Sequence, residues 1–135
     1  MHHQPTRRML RAKIHRARVT EANLHYEGSL TVPPGLLDHA GIAEYEAVNV
    51  WNVTRGTRFE TYAIAGTEGS DDICVNGAAA HLAGPGDIII IASYAEVPES
   101  MVSGFRPTVV FVDQDNKVTD TGQEVPGPRT HLRGC

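Results

Sequence analysis

Long apolar runs are missing from this chain. The longest uninterrupted aliphatic stretch covers residues 88–92, far short of the ~18 residues a membrane-spanning helix needs. The opening Met1-His2-His3-Gln4-Pro5-Thr6-Arg7-Arg8 lacks the apolar core of a secretion signal, so a cytoplasmic protein with no membrane partner is expected. Cysteine is scarce: Cys74 and Cys135 are the two present, too few and too far apart for a disulfide framework or a CxxC metal pair. Cys74 lies in an apolar run and reads as a small core residue; Cys135, the last residue, reads as an exposed thiol. No GxGxxG or GxxxxGK[ST] occurs, which excludes the common phosphate loops. His15, His25, His39 and His81 have neither HxH nor HxxxH spacing, and no metal site is expected.

What is present is enough for one domain. The 135 residues are 41% hydrophobic and 21% charged, a globular balance with a modest core. Charge is unevenly placed. Twelve Lys and Arg against sixteen Asp and Glu leave a net of −4, yet Arg7, Arg8, Arg11, Lys13, Arg16 and Arg18 put six cations in the first 18 residues with no acid among them. A basic arm can serve nucleic acid. Here it is short, carries no interleaved aromatics and joins a strongly acidic body, so no nucleic-acid partner is expected.

Hydrophobic periodicity points to a mainly β protein. Leu10, Ala12 and Ile14 alternate with Arg11, Lys13 and His15, the period of a strand. Residues 20–23 read as a turn and 29–32 as a strand. Pro33-Pro34-Gly35 breaks it, and residues 36–40 form a short helix closed by Gly41. Residues 46–54 and 58–65 make a hairpin across Arg55-Gly56. Residues 73–76 are a short strand, Gly77 leads into a short helix over 78–83, and 87–97 is expected to be a fully buried central strand. Residues 105–113 are the last strand. The domain organisation expected is a flexible extension over 1–8, a single β domain over 9–115 and a loose tail over 116–135. Seven or eight short strands at this spacing suggest a small closed barrel or sandwich with short helices.

The segment with chemical promise is Leu24-His25-Tyr26-Glu27-Gly28-Ser29. Glycine tolerates backbone angles that other residues resist, so Gly28 can sit in a strained turn between β segments. A serine hydroxyl after it can attack the preceding carbonyl and convert the amide to an ester, given a donor for the oxyanion. Taken alone, Gly-Ser is equally an ordinary turn.

Several further pieces resemble one family. Lys13-Ile14-His15-Arg16, the segment ending in Gly28-Ser29, Trp51-Asn52-Val53-Thr54, Thr61-Tyr62-Ala63-Ile64, Asn76-Gly77-Ala78-Ala79-Ala80-His81 and Gly86-Asp87-Ile88 occur in the order found in the pyruvoyl-dependent aspartate 1-decarboxylases. The similarity runs from about Met9 to Asp113. It implies a double-psi β-barrel, a homotetramer with active sites between subunits, and self-cleavage between Gly28 and Ser29, spontaneous or aided by a helper protein. Ser29 would become a covalent pyruvoyl group, with no metal and no pyridoxal phosphate. That carbonyl would form a Schiff base with L-aspartate and absorb the electrons released with carbon dioxide, giving β-alanine for pantothenate and coenzyme A.

The resemblance also implies roles. Thr61 would stabilise the cleavage oxyanion and contact substrate. Tyr62 would be the proton donor, since a phenol keeps its proton at neutral pH. Arg58 and Lys13 would bind carboxylates, and Gly77, Ala78 and Ala79 would offer backbone amides. Tyr26, His15, Trp51 and Asn76 would line the pocket without an assigned role. Strand alternation puts Thr61 and Tyr62 on opposite faces, so both reach one site only across a bend. Two other readings compete: a non-catalytic barrel that binds an acidic partner through its basic arm, and an acyl-transfer enzyme with Ser29 as nucleophile and His25 as base.

Overall fold

The structure, a computed structural model, describes residues 4–122. Nine strands pair in the order β2-β6-β3-β5-β4-β7-β1-β8-β9. They are β1 (Thr6–Arg18), β2 (Glu21–Asn23), β3 (Ser29–Val32), β4 (Ala47–Asn52), β5 (Arg58–Ala65), β6 (Cys74–Asn76), β7 (Ile88–Pro98), β8 (Thr108–Val112) and β9 (Val118–Gly122). One helix, α1 (Pro34–Ala40), and two 3-10 turns, Gly77–His81 and Glu99–Met101, complete the described elements. No helix among them is long and apolar enough to cross a membrane.

The mainly β expectation holds, and local chemistry explains most elements. Alternation along β1 turns Ala12 and Ile14 fully inward. β4 and β5 form the hairpin, in register from Ala47↔Tyr62 to Trp51↔Arg58. α1 begins after Pro33 with Pro34 in its first turn and ends at Gly41, which adopts φ +71 and closes the helix onto Asp38 and Leu37 carbonyls. The core gathers Ile14, Leu30, Val48, Val50, Val75, Ile89 and Ile91, all at zero exposure.

Long-range pairing sets the rest. β7 lies antiparallel to both β1 and β4, while β1–β8, β2–β6 and β3–β5 are parallel. The pairings among the described residues form an open order, with β2 and β9 each bonded on one side.

Five expectations need correction. Strand β1 begins at Thr6, within the stretch expected as an extension, because Thr6↔Pro98 continues the β7 ladder, the Glu99 N–H donates to the Pro5 carbonyl (2.9 Å) and Arg7 pairs with Glu99 (2.7 Å). The expected tail contributes β9. Asp113 Oδ1 accepts the N–H groups of Asp115 and Lys117, Asn116 takes φ +61, and the chain doubles back along β8. The remainder of that tail, with Cys135, and residues 1–3 lie outside the described residues. Residues 21–23 are a strand rather than a turn, paired with β6 and anchored by Thr20 Oγ1, which accepts the Ile73 N–H (2.9 Å). β7 is not buried throughout: Ile89 and Ile91 face the core, whereas Ile88 and Ile90 are half-buried on the outer face. Cys74 is also half-buried, its thiol donating to Glu21 Oε2 (3.3 Å).

Candidate active site

Ser29 opens β3 and is 4% exposed. It stands opposite Asn76, the last residue of β6, across an antiparallel pair. The Asn76 Nδ2 donates to Ser29 Oγ (3.2 Å) and to Thr31 Oγ1 (3.1 Å), and Ser29 Oγ–H donates to the Glu27 carbonyl (3.3 Å). A buried amide donor thus fixes the serine oxygen one residue after the Gly28 carbonyl. A cleft of about 500 Å³ opens onto Ser29, walled by Tyr26, Thr31, Ile64 and Asn76.

The left-handed turn that a strained Gly28 would show is found at another glycine. Gly28 lies outside the left-handed region; Gly77, directly after Asn76, occupies it at φ +74. A Cβ on Gly77 would lie 2.6 Å from Gly28 Cα, 2.7 Å from Gly28 N and 3.0 Å from the Tyr26 carbonyl. Gly77 therefore satisfies two demands that exclude a side chain: its own dihedral and the backbone passing against it. It opens the 3-10 turn that carries Ala78, exposed, and Ala79, half-buried.

The remaining expected residues fall into a second group. The β3–β5 register Leu30↔Ala63 runs Thr61 and Tyr62 past the start of β3, but neither lines the Ser29 cleft. The β4–β5 register has no bulge at this point, so the two side chains leave on opposite faces as alternation requires. Tyr62 packs instead near Tyr45 (ring centroids 6.4 Å apart), which is 72% exposed and held at φ +71. Arg58 is exposed, with its guanidinium 5.0 Å from the centre of the Trp51 ring. Lys13 stands between Ala92 of β7 and Val109 of β8, four strands from Ser29 along β3-β5-β4-β7-β1. His15 is buried beside Phe111 (centroids 5.6 Å apart). A single chain thus assembles Gly28, Ser29, Asn76 and Gly77–Ala79, while Lys13, Arg58, Thr61 and Tyr62 do not line the cleft beside them.

Asn76 is the contact that sequence reasoning left without a role. Its only signal was its place before Gly77, and its bond to Ser29 needs the β3–β6 pairing. His25 lines the cleft, yet the Ser29 hydroxyl bonds Glu27 and Asn76 rather than the imidazole. The nucleophile–base contact required by the acyl-transfer reading is therefore missing among the described residues.

A serine held by a buried amide donor thus stands at the start of a strand, beside a cleft, on a small β scaffold. The aspartate decarboxylase family model matches residues 6–119. An aspartate 1-decarboxylase of Legionella pneumophila (strain Paris) is 58% identical over 126 residues, covering 93% of this chain and 95% of that protein. Those of Rhodopirellula baltica, 58% identical over 92% of this chain and 80% of theirs, and Myxococcus xanthus, 57% identical over 90% and 94%, agree. The chain belongs to the aspartate decarboxylase family.

Proposed function

We propose that this chain is a self-processed, pyruvoyl-dependent carboxy-lyase that converts L-aspartate to β-alanine and carbon dioxide, supplying pantothenate and coenzyme A synthesis. The observation that carries the reading is the Asn76–Ser29 hydrogen bond at 3.2 Å, in a chain that shares most of its length with aspartate 1-decarboxylases.

The local residues fit an origin of the pyruvoyl group in Ser29. Ser29 Oγ attacks the Gly28 carbonyl carbon; the Gly28–Ser29 C–N bond breaks and the nitrogen takes a proton, leaving an ester. Loss of the Ser29 α-proton expels the Gly28 carboxylate, and hydrolysis of the resulting dehydroalanine releases ammonia. Asn76 orients the oxygen, and Thr61 is the proposed oxyanion donor. Once formed, the pyruvoyl carbonyl supplies an electrophile for the substrate amine and a sink for the electrons left by decarboxylation. Gly77, Ala78 and Ala79 present backbone N–H groups to a carboxylate. Arg58 and Lys13 hold anionic groups of aspartate, and Tyr62 delivers a proton to the substrate α-carbon.

These two groups of residues meet when a second copy supplies one of them. The homotetramer reading is supported by the half-buried outer face of Trp51, Ile88 and Ile90 beside Arg58. Its closure as a double-psi barrel is supported by the parallel β1–β8, β2–β6 and β3–β5 pairs. Intact-mass measurement tests the core of the proposal. The wild-type chain is expected as fragments 1–28 and 29–135, and Ser29→Ala as one inactive chain. A single uncleaved species that makes β-alanine refutes the pyruvoyl mechanism. Sedimentation of the processed protein tests the tetramer.

A further inference from the structure

Asp87 and Asn52 stand in motifs that the reaction above leaves unused. Asp87 precedes β7 and is buried, and one of its oxygens gathers three donors. Asn52 Nδ2 lies 2.9 Å from Asp87 Oδ2, the Gly84 N–H 2.9 Å and Arg55 Nε 2.7 Å. Asn52 Nδ2 also donates to the Leu82 carbonyl (3.1 Å), which accepts Thr57 Oγ1–H as well (2.5 Å). Asn52 Oδ1 accepts the Arg55 N–H (3.0 Å). Two distant pieces are thereby joined. One is the β4–β5 turn, whose Thr57 immediately precedes Arg58. The other is the segment from Leu82 to Asp87, whose Leu82 N–H closes the Gly77–His81 turn onto the Ala79 carbonyl (2.8 Å).

We propose that Asp87, through Asn52, Arg55 and Thr57, is a positioning residue that fixes Arg58 relative to the Gly77–Ala79 amides and so sets aspartate binding. The inference rests on the proposed function, which gives those two pieces to the substrate. With Arg58 offered to a neighbouring copy, each clamp fixes part of two sites. A buried carboxylate suits the task because it is costly unless all its partners stay in place, which makes the arrangement all-or-none. Burial alone would raise the Asp87 pKa; the Asn52 amide, the Gly84 N–H and the Arg55 guanidinium outweigh it and hold the carboxyl below its usual value.

The test uses the full chain, with intact mass for cleavage, melting temperature for stability and steady-state decarboxylation for KM and kcat. Asp87→Asn keeps the shape and removes the charge. Thr57→Val removes only the bond to Leu82, and Arg55→Gln acts from an exposed side chain, so both report if Asp87→Asn folds poorly. The expected result is normal cleavage, kcat within about twofold of wild type, and KM for aspartate raised about tenfold, the signature of displaced binding groups. Folded, cleaved Thr57→Val and Arg55→Gln with wild-type KM would overturn the proposal, leaving the cluster a stabilising role that only the melting temperature reads. Wild-type protein that makes no β-alanine would overturn the proposed function first, and this inference with it; wild-type activity with unmoved KM in the variants overturns this inference alone.

Discussion

Replacing Gly77 by alanine puts one methyl group where the structure has no room for it. The added carbon would sit 2.6 Å from Gly28 Cα and 2.7 Å from Gly28 N. Both are backbone atoms, so no flexible side-chain end can yield. Restoring ordinary contact requires the two segments to separate by roughly 1 Å. The residue must also keep φ +74, which costs an L-residue about 1–2 kcal/mol, and forced overpacking adds about 1–3 kcal/mol. A total of about 2–5 kcal/mol is a sizeable part of the 5–15 kcal/mol of a typical domain, so the fold is measured alongside the chemistry. The local effect is larger. A separation of roughly 1 Å beside the Gly28–Ser29 bond displaces the attacking oxygen from its carbonyl, and a misplacement of that size costs about 100-fold in rate. The assay is intact mass against time from fresh synthesis, with circular dichroism to show the fold. Folded Gly77→Ala that cleaves at the wild-type rate would refute the claim that this approach sets the cleavage geometry.

Three other perturbations have definite outcomes. Tyr62→Phe is expected to cleave normally but decarboxylate at least tenfold more slowly; normal turnover removes Tyr62 from the proton-donor role. Tyr45→Asn is expected to raise stability by about 1 kcal/mol, because asparagine tolerates the left-handed backbone at φ +71 better than tyrosine; an unchanged or lower melting temperature counts against strain there. The Cys74 thiol is pushed up to about 11 by burial and by the neighbouring Glu21 carboxylate, so at pH 8 only about one molecule in a thousand carries the reactive thiolate. Alkylation of Cys74 by iodoacetamide, read by peptide mapping so that Cys135 is counted separately, should therefore be very slow at pH 8 and accelerate steeply toward pH 11, since the protonated form persists until the pH approaches the raised pKa.

Self-cleavage would also divide the charge. The first 28 residues carry six cations against Glu21 and Glu27, a side-chain net of +4, and the remainder carries six against fourteen acids, a net of −8. Attraction between exposed charges would contribute little. The β1–β7 and β1–β8 ladders hold the fragments together, and the cations of the basic arm all lie on that first strand.

Elements whose causes are local were legible from residue order. The alternation around Ile14, the hairpin at Arg55-Gly56 and the stop at Gly41 all depend on neighbours a few positions apart, so periodicity and turn chemistry reveal them. β9 was missed although Asp113 and Asn116 carry turn chemistry, because its exposed residues show no apolar alternation and its partner β8 decides its pairing. The outward face of Ile88 and Ile90 was equally hidden, since four consecutive isoleucines look alike until β4 and β1 select a face.

The sequence by itself determined a small β protein, its family and the Gly28–Ser29 bond as the place to look, through short motifs that survive without coordinates. Only the tertiary structure decided that the left-handed glycine is Gly77 rather than Gly28, that Asn76 holds the serine oxygen, and that Lys13 lies four strands from it and Arg58 at the far end of the neighbouring β5. The reason is that such contacts join residues far apart in the chain, and which pairs meet depends on strand register and parallel crossovers that no local pattern encodes.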